Sequence, residues 1–193
     1  MEKSDVIAFF DRCAAFWDET TIRSEDVLTK ILDHAGIVPD VDVLDVACGT
    51  GVLIPDYFER KAASVTGIDI SPEMAMRASK KFPQAEIICA DVEEYVFGRQ
   101  FDVVMVYNAF PHFPDPKRLI EHLASLVRIG GRLSIAHGMS PEKLAQHHAG
   151  SAQCVSIDLL DVHELAELMA TWFDVDIIIS NDEMYQGVGI RKV

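Results

Sequence analysis

A strand-like apolar run, Val43-Leu44-Asp45-Val46-Ala47, leads directly into the turn Cys48-Gly49-Thr50-Gly51. Helical spacing begins near Val52, so this stretch predicts a strand, a glycine turn and a helix in immediate succession. Gly49 and Gly51 allow the backbone to turn tightly and a ligand to approach without a Cβ in the way. An open parallel sheet binds ligands at the carboxyl ends of its strands, so this turn is the expected binding site.

Short β-rich runs alternate with helical patterns along the rest of the chain, which is typical of a parallel α/β sheet. The predicted strands are 43–47, 64–69, 86–90, 102–107, 132–136, 175–180 and 184–192. The tight Asn181-Asp182 predicts a hairpin between the last two strands, which makes the final strand antiparallel to its neighbour. We therefore predict an α/β, doubly wound (Rossmann-like) fold with a seven-stranded, mostly parallel sheet and an antiparallel C-terminal hairpin strand.

Capping residues and glycines predict where several helices begin and end. Ser4 is a predicted N-cap near the start of the chain, and Asp161 with Glu164 forms a predicted capping box. Asp115-Pro116 is predicted to begin a helix that Gly130-Gly131 stops.

Composition and charge narrow the classes of function. The 193 residues are 49% hydrophobic and contain no linker or repeat, so we predict one domain over residues 1–193, with 1–38 as an N-terminal helical cap. No stretch is long and apolar enough to span a membrane, and the charged N-terminus has no apolar signal region, so we expect a cytoplasmic protein without membrane insertion. A net charge of −14 opposes nucleic acid as a partner. A monomer and a homodimer both remain open.

Two further acids stand at the ends of predicted strands. Asp69 ends the second strand, and Asp91 with Val92 follows the third. An acid in the position of Asp69 can accept hydrogen bonds from both ribose hydroxyls. The glycine turn lacks the third glycine of the dinucleotide-binding pattern G-x-G-x-x-G. Together these features predict an adenosine-containing ligand that needs no diphosphate.

The run Val43 to Gly51 resembles the S-adenosylmethionine (SAM) motif of class I SAM-dependent methyltransferases. It is similar to the version found in ubiquinone/menaquinone-biosynthesis-type small-molecule methyltransferases. The similarity continues through Asp69, through Ala90-Asp91-Val92 and the strand 102–107, and ends at Gly130-Gly131-Arg132-Leu133. The resemblance implies SAM as cofactor, S-adenosylhomocysteine (SAH) as its product, and methyl transfer to a small-molecule acceptor by in-line displacement.

The same resemblance implies a set of cofactor-binding residues. They are Asp45, Ala47, Gly49, Gly51, Asp69, Ile70, Asp91, Val92, Tyr107 and Asn108. Asp45 would hold the amino group of the methionine part, Asp69 would bind the ribose, and Ile70 would pack on adenine. Ala47 departs from the pattern, because many members of the family carry glycine there.

Histidines are the candidate catalytic residues on the acceptor side. A base is needed only if the acceptor arrives protonated, and His112 is the first candidate and His137 the second. Either could instead be a hydrogen-bonded structural histidine. His147 and His148 are adjacent and would not face one another on a helix, so we predict no metal site. The N-terminal helices and residues 138–160 are expected to roof the pocket.

Two other functions share parts of this pattern. A non-catalytic SAM-binding regulatory protein would carry the same motifs, because methyl transfer needs few dedicated side chains. An NAD-dependent oxidoreductase would share the sheet and the ribose-binding acid. It would also need the longer glycine spacing and a proton-donating pair such as Tyr-x-x-x-Lys, and we expect neither in this chain.

Overall fold

A computed structural model describes residues 2–148 and 153–193 and contains one seven-stranded sheet in the order β3-β2-β1-β4-β5-β7-β6. The strands are β1 Asp42–Val46, β2 Ser64–Asp69, β3 Glu86–Cys89, β4 Phe101–Tyr107, β5 Val127–His137, β6 Phe173–Ser180 and β7 Tyr185–Arg191. β1 to β5 pair in parallel, whereas β7 is antiparallel to both β5 and β6. The predicted fold and its terminal hairpin are therefore confirmed.

Eight α-helices lie in the described part of the chain. They are α1 Lys3–Cys13, α2 Trp17–Thr20, α3 Glu25–Ala35, α4 Ile54–Glu59, α5 Pro72–Lys81, α6 Pro116–Leu126, α7 Pro141–His148 and α8 Val162–Met169. Asp115 caps α6 by accepting from the backbone N–H of Arg118 at 3.0 Å. The capping box of Asp161 and Glu164 at the start of α8 is confirmed.

Two predicted helix boundaries are wrong. Ser4 lies inside α1, which begins at Lys3, so it is not an N-cap. α6 ends at Leu126, and Gly130 and Gly131 belong to β5 instead of stopping a helix. The pairing of β4 with β5 shifts register between Phe101 and Val103, so the early part of β5 depends on an irregular pairing that no local pattern indicates.

The alternation of side chains along β1 and β4 divides the core into two layers. Leu44 and Val104 belong to the cluster that includes α6 and α8. Val43 and Val103 belong to the cluster on the opposite face, with α3 and α4. Successive strand residues point to opposite faces, so a parallel sheet covered on both sides buries both sets. No helix in the described residues is long and apolar enough to cross a membrane.

Candidate active site

A cavity lies at the carboxyl ends of β1, β2 and β4, where the strand order reverses between β1 and β4. Ligands bind at such a reversal in open α/β sheets. The expected site residues that line the cavity are Asp45, Ala47, Gly49, Asp69, Ile70, Asp91, Val92, Tyr107, Asn108 and His112. Residues from three predicted strand ends and the turn after β4 are thus brought together.

Gly51 and His137 were also expected at the site, but neither lines the cavity. Gly51 has a φ of 86°, and a Cβ there would lie 2.7 Å from the ring of Phe82, so its role in the structure is to close the turn against that ring. His137 is fully buried at the end of β5, with its ring centroid 5.9 Å from that of Tyr185.

Asp69 is held by the backbone on both of its oxygens. Its Oδ2 accepts from the Gly49 N–H and its Oδ1 from the Ser71 N–H, each at 2.8 Å. Burial raises the pKa of Asp69 to about 6, against the lowering effect of these two hydrogen bonds. Each oxygen keeps lone-pair capacity for a further donor, so the carboxylate is oriented and still able to bind hydroxyls.

Asp45 is a buried acid beside Asp69. Burial, reinforced by the charge of Asp69, raises the pKa of Asp45 to about 8, while the hydroxyl of Tyr57 acts in the opposite direction. A buried carboxyl with no cationic partner favours its neutral form. A cation placed in the cavity would reverse that preference, so the site suits a ligand with a positively charged group.

The backbone is strained at the two strand ends that meet at the reversal. Ala47, after β1, has a φ of 54°, and Asn108, after β4, has a φ of 53°. Asn108 is held there because its Oδ1 accepts from the Gly138 N–H at 3.0 Å and its own N–H donates to the Ala136 carbonyl at 2.9 Å. Left-handed conformations of non-glycine residues are costly and concentrate at functional sites.

We expect Ala47→Gly to stabilise the protein by about 1 kcal/mol, because glycine adopts a positive φ without the steric cost that alanine incurs. The free energy of unfolding in denaturant measures the change. Ala90→Gly, where φ is not positive, is the matched control and should destabilise. Equal destabilisation by the two substitutions would contradict the explanation by strain.

The N-terminal segment roofs the cavity through Lys3, Val6, Phe10, Trp17 and Thr21. Lys3 forms an ion pair with Asp91, whose Oδ1 accepts from the Glu93 N–H at 3.0 Å. This pair joins residues 88 positions apart, and no local pattern in the sequence indicates it.

Two other acidic residues of the N-terminal segment form hydrogen bonds with the loops next to the cavity. Asp11 accepts from the Ser71 hydroxyl at 2.5 Å, next to the loop that orients Asp69. Asp18 forms an ion pair with Lys81 at 2.8 Å and accepts from the Thr50 hydroxyl in the glycine turn. Of the other predicted roof segment, residues 149–152 and the side chains of His147 and His148 lie outside the described part of the structure.

His112 lies in the 3₁₀ turn Phe110–His112 that follows β4. Its Nδ1 lies 2.8 Å from the Val155 carbonyl oxygen and 3.1 Å from the Ser156 hydroxyl, and its ring packs edge-on against Phe10 with the ring centroids 4.9 Å apart. A carbonyl oxygen only accepts, so Nδ1 carries the proton and donates it, and the lone pair of the neutral imidazole is on Nε2. This tautomer is the one that a general base acting through Nε2 requires.

The expected absence of a Tyr-x-x-x-Lys pair is wrong, because Tyr57 and Lys61 stand at that spacing. Tyr57 is fully buried, Lys61 is exposed, and neither lines the cavity. The pair is therefore not placed to donate a proton to a ligand there.

Comparisons with known proteins agree with the resemblance to methyltransferases. A family model described as a methyltransferase domain matches residues 43–131. The "Ubiquinone biosynthesis O-methyltransferase" of Coxiella burnetii is 27% identical over 143 residues, which cover 69% of this chain and 61% of the relative. The chain thus spans less than two thirds of that relative's length.

Two solved structures share the fold. One is from the complex between the Haloferax volcanii Trm112 methyltransferase activator and the putative methyltransferase, with a TM-score of 0.81, 20% identity and coverage of 97% and 98% of the two chains. The other is magnesium protoporphyrin IX methyltransferase from Synechocystis PCC 6803 with bound SAM, with a TM-score of 0.73, 18% identity and coverage of 100% and 98%. The resemblance stated from the sequence is confirmed: residues 43–131 match the methyltransferase domain family, and the chain shares the fold of these two solved methyltransferases.

Proposed function

We propose that this protein is an enzyme that transfers the methyl group of SAM to a small-molecule acceptor by in-line displacement, leaving SAH. One observation carries the proposal: Asp45, Asp69 and Asp91, from the ends of three neighbouring strands, line one roofed cavity. Three acids at successive strand ends suit the amino group, the ribose and the adenine of one extended nucleoside ligand.

The residues of the cavity fit SAM group by group. The backbone of Ala47 and Gly49 would lie along the methionine part, whose ammonium group Asp45 would hold. Asp69 would accept from the ribose hydroxyls through the lone pairs that Gly49 and Ser71 leave open. Ile70 would pack on adenine.

The outer end of the nucleoside would lie between Asp91 and Val92, with Asp91 facing the adenine amino group. Lys3 has Glu93 at 3.2 Å and Glu94 at 3.6 Å, so it keeps an ion pair when adenine takes Asp91. At the opposite end of the cavity, Tyr107 and Asn108 would lie near the methionine tail.

One part of the cavity is aromatic, and we place the acceptor there. Phe10, Trp17, His112 and Phe113 line it, which favours a small acceptor with an apolar, flat part. Bound SAM supplies an activated methyl group, so the protein contributes mainly alignment and the exclusion of water. We propose a hydroxyl acceptor, in keeping with the O-methyltransferase name of the relative, with Nε2 of His112 taking its proton. His137 is the second candidate, because it lies outside the cavity lining.

We also propose a domain organisation, a cellular location and a class of partner for the protein. Residues 1–193 form one domain whose residues 1–38 are a helical cap, which the hydrogen bonds that Asp11 accepts from Ser71 and Asp18 accepts from Thr50 support. The protein acts in the cytoplasm as a monomer or homodimer, and free cysteines suit a reducing compartment. Its net charge of −14 supports a small molecule over nucleic acid as its partner.

The test is calorimetric titration with SAM, SAH and NAD. We expect both SAM compounds to bind and NAD not to bind, and a ligand at about 100 times its dissociation constant to stabilise the fold by about 2.7 kcal/mol. Binding of NAD alone would favour the oxidoreductase. Release of SAH with any member of a panel of small acceptors would exclude the purely regulatory alternative, whereas binding without turnover across the panel would favour it.

We expect SAM and SAH binding to release about one proton per ligand near pH 7, because Asp45 with a pKa of about 8 is mostly neutral there and ionises against the ligand's ammonium group. Affinity should therefore rise as the pH increases from about 6 to about 8. Calorimetry in two buffers with different ionisation enthalpies measures the proton count. Asp45→Asn is the control and should release none; an equal release from this variant would assign the proton to another group.

A further inference from the structure

Tyr57 places a hydroxyl group in a layer of the core whose other buried members are apolar. It is fully buried among residues of α3, α4 and the sheet, such as Leu28, Ile54 and Val43. The described residues give its hydroxyl no hydrogen bond, and burial together with the nearby Asp45 carboxyl raises the pKa of that hydroxyl. A buried hydroxyl without a good partner destabilises a protein by about 1–3 kcal/mol. A phenylalanine at position 57 would avoid that cost, so packing of the core does not explain the hydroxyl group.

The sheet places Asp45 directly against this layer. Asp45 points to the same face as Val43, because side chains alternate along β1, and Val43 packs in the cluster that contains Tyr57. Asp45 also lines the cavity, which Tyr57 does not. The Asp45 carboxyl group therefore reaches the cavity from the sheet face that is covered by the layer containing Tyr57.

The other neighbours of Asp45 carry no positive charge. Gly67 on β2 and Met105 on β4 stand in register with it and are uncharged. Asp69 beside it raises the pKa of Asp45, and the neighbouring Cys48 thiol stays neutral because burial raises its own pKa. On α4, Asp56 acts on Tyr57 and is itself paired with Arg23 at 2.6 Å. Tyr57 is thus the neighbour that favours the ionised carboxyl.

We propose that Tyr57 is a positioning residue, which holds the ionised carboxylate of Asp45 so that it receives the ammonium group of SAM. The inference rests on the proposed function and deepens it by adding a residue that does not touch the ligand. Once Asp45 is ionised, the Tyr57 hydroxyl can donate a charge-assisted hydrogen bond to its carboxylate, and a bound ammonium group induces that ionised state. Without this donor the pKa of Asp45 would rise further, because the remaining influences all raise it.

The test compares two ligands that differ in the group Asp45 would hold. SAH carries the ammonium group, whereas 5′-methylthioadenosine has the same nucleoside and sulfur without the amino acid. Calorimetry on Tyr57→Phe should show about a tenfold loss of SAH affinity, the effect of one hydrogen bond to a charged group, and unchanged affinity for 5′-methylthioadenosine. Equal weakening of both ligands, or no loss for SAH, would overturn the inference.

Two controls separate positioning from packing. Tyr185→Phe removes another buried hydroxyl that has no hydrogen bond among the described residues, on the other layer of the core, and should leave SAH affinity unchanged. In an Asp45→Asn background, Tyr57→Phe should cost no further SAH affinity, because the group it acts on is gone; an undiminished loss there would overturn the inference. If the wild-type protein binds neither ligand, the proposed function itself fails. If the wild type binds SAH and Tyr57→Phe binds it equally well, only the inference about Tyr57 fails.

Discussion

Asp69→Ala is expected to lower the affinity for SAM and SAH by at least about a hundredfold, because two hydrogen bonds from ribose hydroxyls to a charged acceptor contribute about 1.5–3 kcal/mol each. The carboxylate is pre-oriented by the N–H groups of Gly49 and Ser71, so little ordering is left for the ligand to impose. The loss also frees those two N–H groups and loosens the glycine turn. Isothermal titration calorimetry at several pH values measures the change.

Two further variants show whether the loss of affinity comes from the missing hydrogen bonds to the ribose or from a loosened glycine turn. Asp174→Ala removes an acid with the same charge from the exposed edge strand β6 and should bind SAH as the wild type does. Asp69→Asn keeps a carbonyl oxygen for one of the two N–H groups and should fold like the wild type while still losing most of its affinity. Retention of wild-type affinity in Asp69→Ala would show that the ribose is bound elsewhere.

Those parts of the fold that local chemistry controls could be predicted from the sequence. The glycine turn after Val46, the capping box of Asp161 and Glu164, and the hairpin at Asn181-Asp182 each depend on residues a few positions apart. Parallel strands then bring their carboxyl ends to one edge, so Asp69 and Asp91 could be assigned to one site before any contact was known.

What could not be predicted depends on contacts between distant residues. The start of β5 is fixed by its pairing with Phe101 across a register shift, which no capping residue, glycine or proline indicates. The prediction that Gly130-Gly131 ends a helix is wrong for that reason. The ion pair of Lys3 with Asp91 spans most of the site-forming sequence. Tyr57 has helical core spacing, and its relation to Asp45 emerges only when α4 packs on the sheet.

His112→Asn is expected to lower kcat by about a hundredfold to a thousandfold with little change in SAM affinity, because a positioned general base contributes about 10²–10⁴ in rate. An asparagine amide at this position can still donate to the Val155 carbonyl, as Nδ1 of His112 does at 2.8 Å. The substitution therefore removes the proton acceptor at Nε2 and preserves the hydrogen bond that holds the turn. Release of SAH at saturating SAM and acceptor measures kcat.

The pH profile and the choice of acceptor distinguish a base from a structural histidine. If His112 is a base, the wild-type profile of kcat against pH has a limb from its titration that the profile of His112→Asn lacks. An acidic phenol that is ionised before it binds should restore turnover in the variant, because no proton remains to be removed. His163→Asn, at an exposed position of α8, is the matched control and should behave as wild type. A variant equally slow with neutral and pre-ionised acceptors would mean that His112 aligns the acceptor without taking its proton. In that case methyl transfer here would rest on alignment alone, which an already activated methyl donor permits.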